Sequence, residues 1–144
     1  MATEAAIRGY LREEAIAWLL GRSGYQLLVD ESDDPQDLIW GGNGLRVHGR
    51  GADHQADTLG ELSFVPPFSL PIRLFVEAKF RGTVAHIRDV RNAHGVIHDI
   101  NENFSRLNST GRPPALPIHV RPFLYVRLLQ GRPGLRVGAP DFTD

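Results

Sequence analysis

Two acids and one lysine stand out by type and spacing: Asp57, Glu77 and Lys79. Hard divalent cations such as Mg²⁺ or Mn²⁺ are held by carboxylate and carbonyl oxygens, and Asp57 and Glu77 can supply two carboxylates. Such a cation neutralises charge that develops on a phosphodiester and lowers the pKa of an attacking water. Glu77 and Lys79 are two residues apart, so in a strand they share a face about 7 Å from each other. A lysine so placed presents a compact point charge that can orient the water or stabilise the pentavalent phosphate, which a planar guanidinium does less well. The sixteen basic residues are fifteen arginines and a single lysine, and that lysine is Lys79. Ala78 between them offers its carbonyl as a further ligand. Gln55, two residues before Asp57, is expected on the same face, where its amide would hold a water or a phosphate oxygen.

The elements that must position these residues are legible in outline. From Thr3 to about Arg22, apolar residues at Ile7, Tyr10, Leu11, Ala15, Trp18 and Leu19 follow helical spacing, with Thr3 as cap and Gly24 as stop. Tyr25 to Val29 reads as a short strand, and DESDDPQD after it as a loop. Leu38–Trp40 and Leu45–His48 flank the glycine-rich GGNG, as in a hairpin. ADTLGELSF suits a strand closed by Pro66 and Pro67. In LPIRLFVEAKF, Ile72, Leu74, Val76, Ala78 and Phe80 alternate with Arg73, Phe75, Glu77 and Lys79, the pattern of a central strand. Val84, Ile87, Val90, His94, Ile97, Ile100, Phe104 and Leu107 predict a long second helix, and PFLYVRLL a last strand. A single α/β domain over residues 1–144 follows, with a mixed central sheet flanked by helices. Arg73, Arg81, Arg88 and Arg91 cluster around the acids in sequence and are expected to offer positive charge to a DNA backbone.

Asp57, nineteen intervening residues and then Glu77-Ala78-Lys79 resembles the signature of the PD-(D/E)xK nucleases, the restriction-endonuclease-like superfamily. The likeness is nearest to Mrr-like restriction endonucleases and archaeal Holliday-junction resolvases. These open with a helix carrying a glutamate upstream of a Gly-aromatic pair, here Glu13 and Gly24-Tyr25. It spans residues 4 to 129, with Ala56 standing where the motif has its proline. The resemblance implies a restriction-endonuclease-like core of α-β-β-β-α-β order and a Mg²⁺- or Mn²⁺-dependent DNA endonuclease of restriction or defence. It carries Glu13 over as an extra metal ligand, with Glu14 the neighbouring candidate in the helix register, and it makes a homodimer plausible. A nuclease-fold module that binds DNA or protein without cutting is the alternative.

Composition agrees with a globular protein: 42% apolar and 23% charged residues sit near the averages for soluble domains, and no apolar run reaches the length of a membrane span. The N-terminus has no secretion-signal pattern, so a cytoplasmic location is expected. The chain has no cysteine, which excludes disulfides, thiolate nucleophiles and cysteine-bound zinc. A net charge of -1 leaves DNA binding to local charge. His94 and His98 have the i, i+4 spacing of a zinc pair, yet His94 falls on the apolar stripe and reads as a packed histidine. GRG at Gly49–Gly51 resembles a phosphate-cradling loop, but no nucleotide-binding pattern follows it.

Overall fold

The computed structural model describes residues 3–79, 86–103 and 122–129. Helix α1 (Glu4–Arg22) starts where Thr3 Oγ1 accepts the Ala6 N–H at 3.3 Å, and ends before Gly24, whose φ of 86° few other residues adopt. β1 (Tyr25–Leu28) leads into a 3₁₀ turn, Glu31–Asp33, capped reciprocally by Asp30 and Asp33. β2 (Leu38–Gly41) and β3 (Gly44–His48) form the expected hairpin. The ladder continues to a Gly41–Gly44 pair, so only Gly42 and Asn43 remain as the turn. β4 (Asp53–Gln55) adds to β3, and β5 (Thr58–Leu62), β6 (Arg73–Lys79), α2 (Ile87–Asn101) and β7 (Phe123–Leu129) complete the order.

Two sheets result. The larger runs β1-β5-β6-β7, and the smaller runs β2-β3-β4. β1, β5 and β6 pair antiparallel, whereas β6 and β7 are parallel, which requires a crossover between them; α2 lies in that connection. The architecture is thus mixed α/β, a mixed sheet with two helices. No helix among the described residues is long and apolar enough to cross a membrane.

Strand alternation in β6 divides the core as its sequence predicts. Val76, with Leu74 and Ala78 beside it, meets Ile16 and Leu20 of α1. Phe75 points the other way, into a cluster with Leu59, Phe123, Leu38, Leu45 and Val47, closed by Ile100 of α2. Phe75 stacks on Tyr125 with ring centroids 5.5 Å apart.

Three expectations are corrected. The α1 residues that bury are Ile16 and Leu20, while Ile7, Tyr10, Leu11, Trp18 and Leu19 are all exposed. The helix has two apolar stripes, and periodicity does not say which turns inward. His94 is exposed rather than packed, because α2 enters the core through Val96, Ile97 and Ile100, with Ile87 and Val90 left outside. Arg73 is fully buried, its guanidinium 2.8 Å from Asp34, 2.9 Å from Asp37 and 2.6 Å from Glu61, so it presents nothing to a phosphate backbone. Val84, Phe104 and Leu107 of the predicted second helix lie outside the described residues.

Candidate functional site

Asp57 sits where the chain leaves the small sheet for the large one. β4 ends at Gln55, Ala56 is buried at the junction, and Asp57 precedes β5. Gln55 and Asp57 are exposed on either side of the buried Ala56 and line one cleft. Asp57 brackets Glu77: its N–H donates to the Val76 carbonyl at 3.0 Å, and its Oδ2 accepts the Ala78 N–H at 2.6 Å. Glu77 and Ala78, from one strand, are thereby brought beside Asp57, from another.

Glu13 reaches the same place from α1. Its carboxyl is pushed up from the usual carboxylate value by burial, then by the negative charges of Asp57 and Glu14. The Glu13 carboxyl feels Asp57, and both helix candidates line the same cleft. That cleft, of about 440 Å³, also holds Asp57 and is lined by Gln55, Trp40 and Asn43. Gln55 is turned toward the hairpin, its Nε2 donating to the Asn43 carbonyl at 2.9 Å.

Glu77 has a partner the sequence did not reveal. The Tyr125 hydroxyl donates to Glu77 Oε2, and Tyr125 is held far above its ordinary pKa, first by burial and then by the Glu77 carboxylate, with Asp57 adding to it. Strand alternation puts Tyr125 and Arg127 on one face of PFLYVRLL; the missing information was the parallel register, which pairs Glu77 with Arg127. Arg127 pairs with Asp89 in the first turn of α2 at 3.2 Å, tying that end of the helix to the Glu77 end of the sheet. Arg88 and Arg91, on α2 beside Asp89, are exposed. Arg73, four residues before Glu77 on β6, is about 13 Å away along the strand. Lys79 ends β6 two residues beyond Glu77; its side chain, and Arg81 entirely, lie outside the described residues.

As a cation site the arrangement has the right donor chemistry. Asp57, Glu77 and Glu13 are all hard oxygen donors, and the part of the Glu13 shift that comes from Asp57, second to that from burial, is what a bound cation would relieve. Among the described residues, however, no three His, Asp or Glu side chains gather closely enough to hold one ion together. Asp57 is tied to the backbone on either side of Glu77, and Glu13 shares the cleft with Asp57.

The GRG loop is also accounted for. Asp99 of α2 accepts the N–H groups of Gly51 at 2.9 Å and Ala52 at 3.2 Å and meets His54 Nε2 at 2.8 Å. A Cβ on Gly49 would strike the Asp99 carboxylate. The anion this loop cradles is the chain's own. His94 and His98 have ring centroids 4.7 Å apart, and His98 pairs with Glu102.

Compared with known protein families, curated proteins and solved structures, the chain matches none of them.

Proposed function

We propose that the chain is a Mg²⁺- or Mn²⁺-dependent DNA endonuclease with a restriction-endonuclease-like core. The observation that carries this reading is the bracketing of Glu77 by Asp57, twenty residues earlier in the chain. Supporting it, the large sheet with its two helices follows the order α-β-β-β-α-β once the hairpin and β4 are read as an insertion. Asp57 and Glu77 hold the cation, with the Ala78 carbonyl and Glu13 as further donors. When bound, the cation neutralises charge building on the phosphate and activates the attacking water. Lys79 would orient that water and stabilise the phosphate oxygens, while Gln55 lines the cleft with its amide on the hairpin. Arg88 and Arg91, with Arg81, hold the DNA backbone. The setting proposed is cytoplasmic restriction or defence, with two copies cutting the two strands.

A second reading is a nuclease-fold module that binds DNA or protein without cutting. It is favoured by the Tyr125 hydroxyl on Glu77 and by the lack of a three-acid cluster among the described residues. Incubation of supercoiled plasmid with the protein and Mg²⁺, with and without EDTA, separates the two. Nicking that EDTA abolishes supports the enzyme, while DNA binding with no cleavage in Mg²⁺ or Mn²⁺ supports the module.

A further inference from the structure

Helix α1 is apolar on two sides. Ile16 and Leu20 face the sheet. On the opposite side Ile7, Leu11 and Trp18 recur at intervals of four and seven and form one stripe, flanked by Leu19. Their exposures are 49, 60, 66 and 55%. Single exposed apolar residues are ordinary, but a contiguous stripe on a helix marks a contact surface.

The charges at its ends say what fits there. Glu4 and Arg22 are eighteen residues apart, five helical turns, and so stand on the same side of α1 at its two ends. Among the described residues Glu4 pairs with the exposed Arg8 at 2.5 Å, and Arg22 lies over the Trp18 ring at 5.8 Å. A second α1 laid antiparallel about a two-fold axis sets Glu4 of each copy against Arg22 of the other. The same register sets Ile7 against Leu19 and Leu11 against Ala15, and opposes the helix dipoles. Parallel pairing would instead juxtapose like charges. A lipid surface is disfavoured, since Glu4 and Glu14 balance Arg8 and Arg22 along the stripe where a membrane-binding helix carries excess positive charge.

We propose that the outward face of α1 is a self-complementary surface through which two copies of this chain pair by antiparallel α1 helices. The proposal stands on α1 alone and does not depend on nuclease activity.

Size-exclusion chromatography with light scattering on the full chain, at about 10 to 100 μM, tests it. The wild type is expected to be a dimer. Trp18→Ala should weaken the dimer about thirtyfold or more, as loss of an aromatic anchor does. Circular dichroism should show its helix content unchanged, because Trp18 is outside the core. Glu4→Arg should also weaken pairing, and adding Arg22→Glu should restore it; that second change cannot mend the lost Glu4–Arg8 contact, so rescue reports the contact between copies. A monomeric wild type would overturn the proposal, including one in which residues 130–144 cover the stripe. So would a dimer that Trp18→Ala leaves intact, or a charge swap that fails to rescue.

Discussion

Replacing Arg73 by methionine removes a buried guanidinium that meets three carboxylates. The Arg73 guanidinium and the Asp37 side chain are both fully buried, and Asp34 and Glu61 complete the ring at 2.8 and 2.6 Å. The cluster joins β6, β5 and the turn before β2, so it fixes the strand that carries Glu77. Methionine keeps the stem's packing against Phe123 but takes the guanidinium away from the buried Asp37 carboxylate. Breaking a buried ion pair from one side costs about 3–5 kcal/mol, a large part of the roughly 5–15 kcal/mol that stabilises a typical domain. Urea unfolding followed by circular dichroism should show the midpoint fall with little change in slope. Arg73→Lys should recover only part of the loss, since an ammonium cannot reach three carboxylates in the geometry of a planar fork. Arg73→Met with Asp37→Leu should recover more, because both halves of the pair are then apolar. A loss below about 1 kcal/mol for Arg73→Met, the scale of a surface pair, would refute the reasoning.

Three further outcomes are expected. Asp99 is held below its usual value, mainly by its bond to His54 and against a burial penalty, with Gly51 and Ala52 adding to the lowering. A depressed folded value means that its contribution is complete above the unfolded carboxylate range and is lost as pH falls through the folded one. Asp99→Asn should therefore cost about 2 kcal/mol at pH 7 and progressively less below about pH 4, read from urea midpoints across that range. Glu13 is shifted the opposite way: the stability it carries is present below the unfolded carboxylate range and drains as pH rises through the raised folded value. Glu13→Gln should raise Tm at pH 7 in EDTA and leave it unchanged below about pH 4, measured by calorimetry. Arg88→Ala and Arg91→Ala should each weaken DNA binding uniformly across sequences and reduce the slope of log K against log salt by about one, in fluorescence anisotropy titrations.

Legibility followed the range of the signal. β6 was readable because alternation is a property of neighbouring residues, and both of its faces pack as that alternation requires. Asp57 meets residues 76–78 through one backbone bond and one bond to its carboxylate, which no local pattern in the sequence encodes. α1 was read correctly as a helix and incorrectly as to its inner face, because two stripes are both consistent with its period. Arg73 was misassigned since its partners lie 12 to 39 residues away and only the fold brings them together. Tyr125 and Trp40 were missed for a related cause: each is an ordinary aromatic in a strand until the β6–β7 register and the hairpin's position against the cleft are known. Asp99 belongs to the same class, a helix residue whose role is set by a loop 47 or 48 residues earlier.

The account rests most heavily on Asp57 and Glu77 gripping one divalent cation between them. Titration of the metal-free full chain with Mn²⁺, followed by electron paramagnetic resonance of the free ion, measures this directly. One ion bound per chain, released by Glu77→Gln and by Asp57→Asn in protein that remains folded, is the predicted result. Mn²⁺ that stays free in the wild type, or binding that both variants retain, would contradict it.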